Sequence, residues 1–330
     1  MSVRDYTVDF VKGALMWCVV YGHTVDALCG GLPHSSVWLH CFVRTFDLPF
    51  FMVISGCFLK CSLSHKPWWS VVSHRLTLLL VPIVTWTLLR GHINVFSGMY
   101  YFLWAVLASS MICVVAHLAS SFFGDKTSKI FEPFLLVSVI FLLYMVKVPW
   151  NLFYLFPFFV VGYYLKNLKF ELSMRWFWLA VFVFSIGLCF WSPLYTPWRL
   201  GPLAWKDNSL VVGIYVYRTI LALVGIIVMS YVFRVCMLKL EKYSFVRDTL
   251  VSSGRETLAI YICQSIIIER VMRRICRSVI EYFNYSFSVE YINIVGYVIA
   301  LIVSFFALWG FLMVIRSIKK IPAIKYSFGF

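Results

Sequence analysis

Asp9-Phe-Val-Lys-Gly-Ala-Leu-Met-Trp-Cys-Val-Val-Tyr-Gly-His23 decides the fold class of this chain. The stretch is apolar enough to read as a membrane span, yet it holds a carboxylate, an amine and an imidazole. Ionisable groups are costly inside a bilayer and persist there chiefly for function. On a helix, Asp9, Lys12, His23 and Asp26 fall on one stripe roughly 100° wide. Lipid cannot solvate such a stripe, so it must face the interior of a bundle. Lys12 and His23 stand about 16 Å apart along the axis, which puts a cation near one membrane surface and an imidazole past the midplane. Imidazole is the usual general base near neutral pH. Asp26, one turn on, is in reach to orient it.

The rest of the chain agrees. Its 330 residues are 62% hydrophobic and 13% charged, and mean hydropathy is +0.87. A soluble domain carries about 25% charge. Apolar runs of about 17–25 residues, long enough to cross a bilayer core, recur from end to end. We expect an all-α polytopic transmembrane helical bundle of about ten spans: 8–29, 46–63, 76–90, 100–119, 133–148, 151–165, 176–192, 211–233, 254–270 and 291–315. No polar region is long enough for a soluble domain, so residues 1–330 read as one integral-membrane domain. The apolar start lacks the features of a cleaved signal peptide.

The net charge of +15 does not point to nucleic acid, because the basic residues cluster in short loops as topology signals and headgroup contacts. With the N-terminus inside, those loops put most of the basic residues on the cytoplasmic face. This predicts a multi-pass plasma-membrane protein with both termini cytoplasmic. Arg270, Arg273, Arg274 and Arg277 break the bias; they form one helical face that meets either headgroup phosphates or an acidic substrate. Ten cysteines are scattered without a Cys-x-x-Cys pair; Cys29 and Cys41 either pair or remain free thiols. No metal-ligand cluster, phosphate loop or nucleotide fingerprint occurs.

Three motifs in order carry a family resemblance. Asp9-x-x-Lys12-Gly-x(9)-His23 is followed by Phe46-Asp-Leu-Pro-Phe-Phe-Met-Val-Ile-Ser-Gly56 and then by His74-Arg-Leu-x(4)-Val-Pro82. Together they resemble the integral-membrane acyltransferase-3 family, and most of all its fucose 4-O-acetylase-like branch. Tyr101-Phe-Leu-Trp104, Phe158-Phe-Val-Val-Gly162 and Gly254-Arg-Glu-Thr-Leu-Ala-Ile-Tyr261 extend the likeness over most of the chain.

The resemblance implies about ten spans and transfer of an acyl group, commonly acetyl, from cytoplasmic acyl-CoA to carbohydrate hydroxyls. It makes His23 the catalytic residue, with Lys12 completing the signature, and gives Arg75 a part in handling the donor. Acetyl-CoA is polyanionic, so Arg75 with Lys60, Lys66 and His74 suits its phosphates. Asp9 is expected to support Lys12. Ser55, beside Gly56, either donates to the thioester oxygen, positions the sugar, or serves only helix packing. Asp47 either binds acceptor hydroxyls or caps its span. The implied partners are a carbohydrate or glycolipid acceptor, acyl-CoA and membrane lipid.

Some positions depart from the family pattern: Val72 and Gln264 stand where relatives often have Arg and His, and Asp47 replaces a common His. Arg218 lies inside the eighth span and needs either an acidic partner or a substrate. The aromatic stretch from Trp191 to Pro202 suits either an interfacial belt or stacking on sugar. On charge and span count alone a glycolipid or small-anion transporter fits equally well, but no internal repeat or paired broken spans support one.

Overall fold

The computed structural model describes residues 6–28, 38–91, 94, 100–149, 151–165, 173–192, 201, 203, 209–282, 294–321 and 326–329. Among them the regular structure is helical throughout, with no strand. The helices are α1 (Tyr6–Leu28), α2 (Trp38–His65), α3 (Trp68–Arg75), α4 (Val81–Leu89), α5 (Tyr101–Ser121), α6 (Asp125–Met145) and α7 (Leu152–Tyr164). They continue with α8 (Met174–Cys189), α9 (Ser209–Lys239), α10 (Ser244–Arg255), α11 (Thr257–Ile266), α12 (Arg273–Tyr282) and α13 (Ile294–Ile318). Two π-helical turns, Leu76–Leu80 and Ile267–Met272, join α3 to α4 and α11 to α12.

The molecule is an all-α membrane bundle. Each of the ten expected spans overlaps a helix. Among the described residues, six segments are long and apolar enough to cross a membrane: Cys41–His65, Trp68–Leu89, Tyr101–Ser121, Thr127–Met145, Ser209–Lys239 and Tyr297–Ile318. Leu152–Tyr164 and Met174–Cys189 are shorter apolar helices. The count of ten remains an expectation of the sequence.

α1 lies at the centre. It packs against α2, α9, α10, α11, α12, α13 and the second π turn, and Phe10, Val11, Leu15 and Val20 are buried. The polar stripe explains this placement, since only protein neighbours can satisfy it. α6 and α8, whose faces carry Phe134, Phe141, Trp178 and Phe182, leave those side chains exposed as lipid-facing helices do.

Two pairs of glycines set the closest helix crossings. A Cβ on Gly13 would overlap the Leu250 carbonyl of α10, and one on Gly254 would overlap the Asp9 carbonyl of α1. Gly56 and Gly162 do the same for α2 and α7, against the carbonyls of Phe159 and Val53. Small residues let backbones approach this closely, which is how membrane helices associate without a hydrophobic driving force. Residues 244–253, which the expected spans leave between 211–233 and 254–270, form with Gly254 and Arg255 a helix docked on α1, and the helix of the ninth span begins at Thr257.

The first π turn precedes Pro82. Proline lacks the N–H that would bond the carbonyl four residues back and its ring crowds that carbonyl, so the helix widens there. Arg75 immediately precedes this wide turn.

Candidate active site

α1 and α2 run antiparallel, which brings the His23 end of α1 beside the start of α2. The missing side chain of Gly22 makes room for Arg44, whose Cζ would lie 3.0 Å from an added Cβ. Arg44 reaches both ways: Nη2 lies 3.3 Å from Asp26 Oδ2, and Nη1 lies 3.4 Å from Asp47 Oδ2. Asp47, 1% exposed, also accepts the N–H of Leu48 through Oδ1 at 2.7 Å. It is not a terminal cap. It sits inside α2, two residues before Pro49, and serves the helix from within.

Among the described residues, His23 meets its closest acidic partner across the bundle. Its Nδ1 is 3.2 Å from Glu269 Oε1 and 4.0 Å from Asp26 Oδ2. Glu269 is held in turn by Gln264, whose Nε2 donates to Oε1 at 3.2 Å. Residues five apart lie on different faces of an α-helix. The π turn, with its i→i+5 spacing, is what aligns them. Arg273, Arg90 and Arg44 lie within electrostatic reach of the Glu269 carboxylate. Arg90 also donates to Ser265 Oγ at 2.8 Å and stacks over the Tyr100 ring.

Chemically, an imidazole beside a carboxylate can act as a general base. The Glu269 carboxylate lies beside Nδ1 as an electrostatic partner, and Nε2 is the ring atom that can accept a proton from a bound hydroxyl. The carboxylate then stabilises the imidazolium. His23 is 21% exposed and Glu269 25%, so the pair is sheltered yet accessible.

The other end of α1 is cationic. Lys12 lies over the Phe58 ring at 5.7 Å. Asp9 pairs with Arg255 at 3.1 Å, and Arg255 also covers the Tyr6 ring. Glu256 pairs with Lys319. His74 is exposed and Arg75 half-buried; among the described residues neither makes a hydrogen bond or ion pair. Lys60 is engaged elsewhere: Nζ donates to Tyr163 Oη at 3.3 Å and lies 3.7 Å from Glu132 Oε2, a carboxylate that also receives the Tyr163 hydroxyl and faces His117.

The structure thus brings together His23 and Asp26 and joins Asp47 to them through Arg44. Ser55 makes no contact with His23; it lies about 12 Å along α2 from Asp47, towards the Lys12 end. Cys41 is a buried free thiol, while Cys29 and most of the Trp191–Pro202 stretch lie outside the described residues. Arg270, Arg274 and Arg277 are exposed. Sequence reasoning missed Glu269 and Arg44 as site residues. The available signal was an acidic residue inside an apolar segment.

A family model described as an acyltransferase domain matches residues 5–313. Nodulation protein NolL of Sinorhizobium fredii (strain NBRC 101917 / NGR234) is 31% identical over 131 residues, which are 33% of this chain and 36% of that protein. The match thus spans about a third of that relative's length. No solved structure matches.

Proposed function

The chain belongs to the acyltransferase-3 family, and from that premise we propose that it is a membrane O-acyltransferase moving an acetyl group from acetyl-CoA to a hydroxyl of a polysaccharide, glycolipid or related glycan. The observation that carries this reading is the His23–Glu269 pair at 3.2 Å, set at one end of a helix whose other end holds Lys12.

In this scheme the acceptor hydroxyl gives its proton to His23 Nε2 as its oxygen bonds to the thioester carbonyl carbon. Glu269 and Asp26 stabilise the imidazolium. The carbonyl–sulfur bond then breaks, and the proton passes from His23 to the departing thiolate, restoring the neutral base. An acyl-His intermediate is the alternative course.

Acetyl-CoA enters as substrate from the Lys12 end, which we take to be cytoplasmic along with both termini. Arg75 and His74 contact its phosphates, and Lys12 adds to the positive field, whereas the charge of Lys60 is met by Glu132. Arg75 suits the task because its planar fork is not committed to a described neighbour. Ser55, part-way along α2, lies on the path between donor and base. The likeness to the fucose 4-O-acetylase-like branch and a plasma-membrane location belong to the same proposal.

The test is incorporation of radiolabelled acetyl from acetyl-CoA into membrane glycans of cells with and without the chain. Alkali-labile label that depends on the chain supports an O-acyltransferase. Absence of label together with absence of acetyl-CoA binding refutes it.

A further inference from the structure

Arg218 is the largest side chain with no exposed surface in the described structure. It sits in α9, and Nε, Nη1 and Nη2 all lack a hydrogen-bond partner. A guanidinium taken out of water without acceptors is strongly disfavoured. The nearby carboxylate does not resolve this. Asp47 lies within electrostatic reach of Arg218, but its oxygens are already used by the Leu48 N–H and Arg44.

Two further unused polar groups border the same place. The Trp191 ring lies with its centroid 5.0 Å from Arg218 Cζ, and its Nε1 is buried with no partner. Tyr154, within electrostatic reach of Arg218, has a buried Oη with no partner either. Arg and Trp are donors only, and a Tyr hydroxyl donates readily. Three buried groups therefore offer hydrogens to nothing, and what they lack is a set of acceptor oxygens.

Their location ties them to the site. α9 packs against α2 through Gly225, where an added Cβ would meet Phe184 and Phe46. Arg218, two turns from Gly225, lies within electrostatic reach of Cys41. That is the stretch of α2 carrying Arg44 and Asp47, which connect through Asp26 to His23.

We propose that Arg218, with Trp191 Nε1 and Tyr154 Oη, forms a subsite for an oxyanion of the acceptor, either a sugar carboxylate or a phosphate. The proposal rests on the acyltransferase reading only in naming the ligand as acceptor; the anion site stands without it. Planar, bidentate recognition is what distinguishes Arg here from Lys.

The test is binding by the purified full-length protein in lipid nanodiscs. Glucuronic acid, glucose 6-phosphate and glucose are titrated against thermal stability and calorimetric heat, with acetyl-CoA titrated separately. The expected result is binding of one or both anionic probes at millimolar concentration and none of glucose. Binding of glucuronic acid alone identifies a carboxylate, and of glucose 6-phosphate alone a phosphate. Arg218→Met should weaken anion binding at least about tenfold, Arg218→Lys should restore part of it, and acetyl-CoA binding should not move. Trp191→Phe keeps the ring and removes the N–H, and should weaken it about threefold to tenfold; it also serves if Arg218→Met does not fold. Equal affinity for glucose, no anion binding, or anion binding unchanged in Trp191→Phe and Arg218→Lys overturns the subsite. Failure of acetyl-CoA binding alone counts against the acyltransferase reading and leaves the anion site intact.

Discussion

His23 Nδ1 stands 3.2 Å from Glu269 Oε1, joining the first helix of the bundle to a π turn almost 250 residues later in the chain. In the proposed mechanism this contact sets a carboxylate beside the imidazole. It also gives the charge that develops on His23 a fixed counterpart. Such support of a base by a second group is the general logic of activated hydroxyl chemistry.

Glu269→Gln should therefore lower kcat about a hundredfold while leaving the KM for acetyl-CoA nearly unchanged. Steady-state kinetics on the purified variant check this. An unchanged kcat would remove Glu269 from the mechanism.

Arg75→Ala should act at the opposite end. We expect KM for acetyl-CoA to rise about tenfold, as a charge-assisted hydrogen bond is lost, with kcat changed less. Lys60→Ala should behave differently, because Glu132 faces it at 3.7 Å. Its main effect should be a lower thermal midpoint in a fluorescence melt.

The glycine crossings predict a contrast in stability. Gly13→Ala and Gly254→Ala would each drive a Cβ into a backbone carbonyl of the partner helix, and should cost about 1–3 kcal/mol or more. Gly310→Ala meets nothing within 4 Å and should be neutral or gain about 0.5–1 kcal/mol. Unfolding of the three variants in one detergent measures the difference.

The bundle was legible because hydropathy and charge act locally. A polar stripe at helical spacing must find protein neighbours, and α1 indeed runs through the centre. The motif Gly254-Arg-Glu-Thr-Leu-Ala-Ile-Tyr261 was visible as a pattern, but its physical purpose was not. Gly254 serves the crossing with α1, a contact between segments some 240 residues apart that no local rule encodes. The Gln264–Glu269 pairing was hidden for another reason. Helical periodicity puts residues five apart on different faces, and only the π turn brings them together. Arg44 was hidden as well, because a loop-side charge close to a span end looks like a topology signal until the bundle folds it over Gly22.

The central claim is that His23 is the base, and the most direct test is acetyl transfer by purified protein in nanodiscs, comparing wild type with His23→Ala. Both samples should show the same thermal midpoint within a few degrees and the same acetyl-CoA affinity. The account predicts that label enters the acceptor with wild type and falls at least about a hundredfold with His23→Ala. Undiminished transfer by a well-folded His23→Ala variant would contradict it.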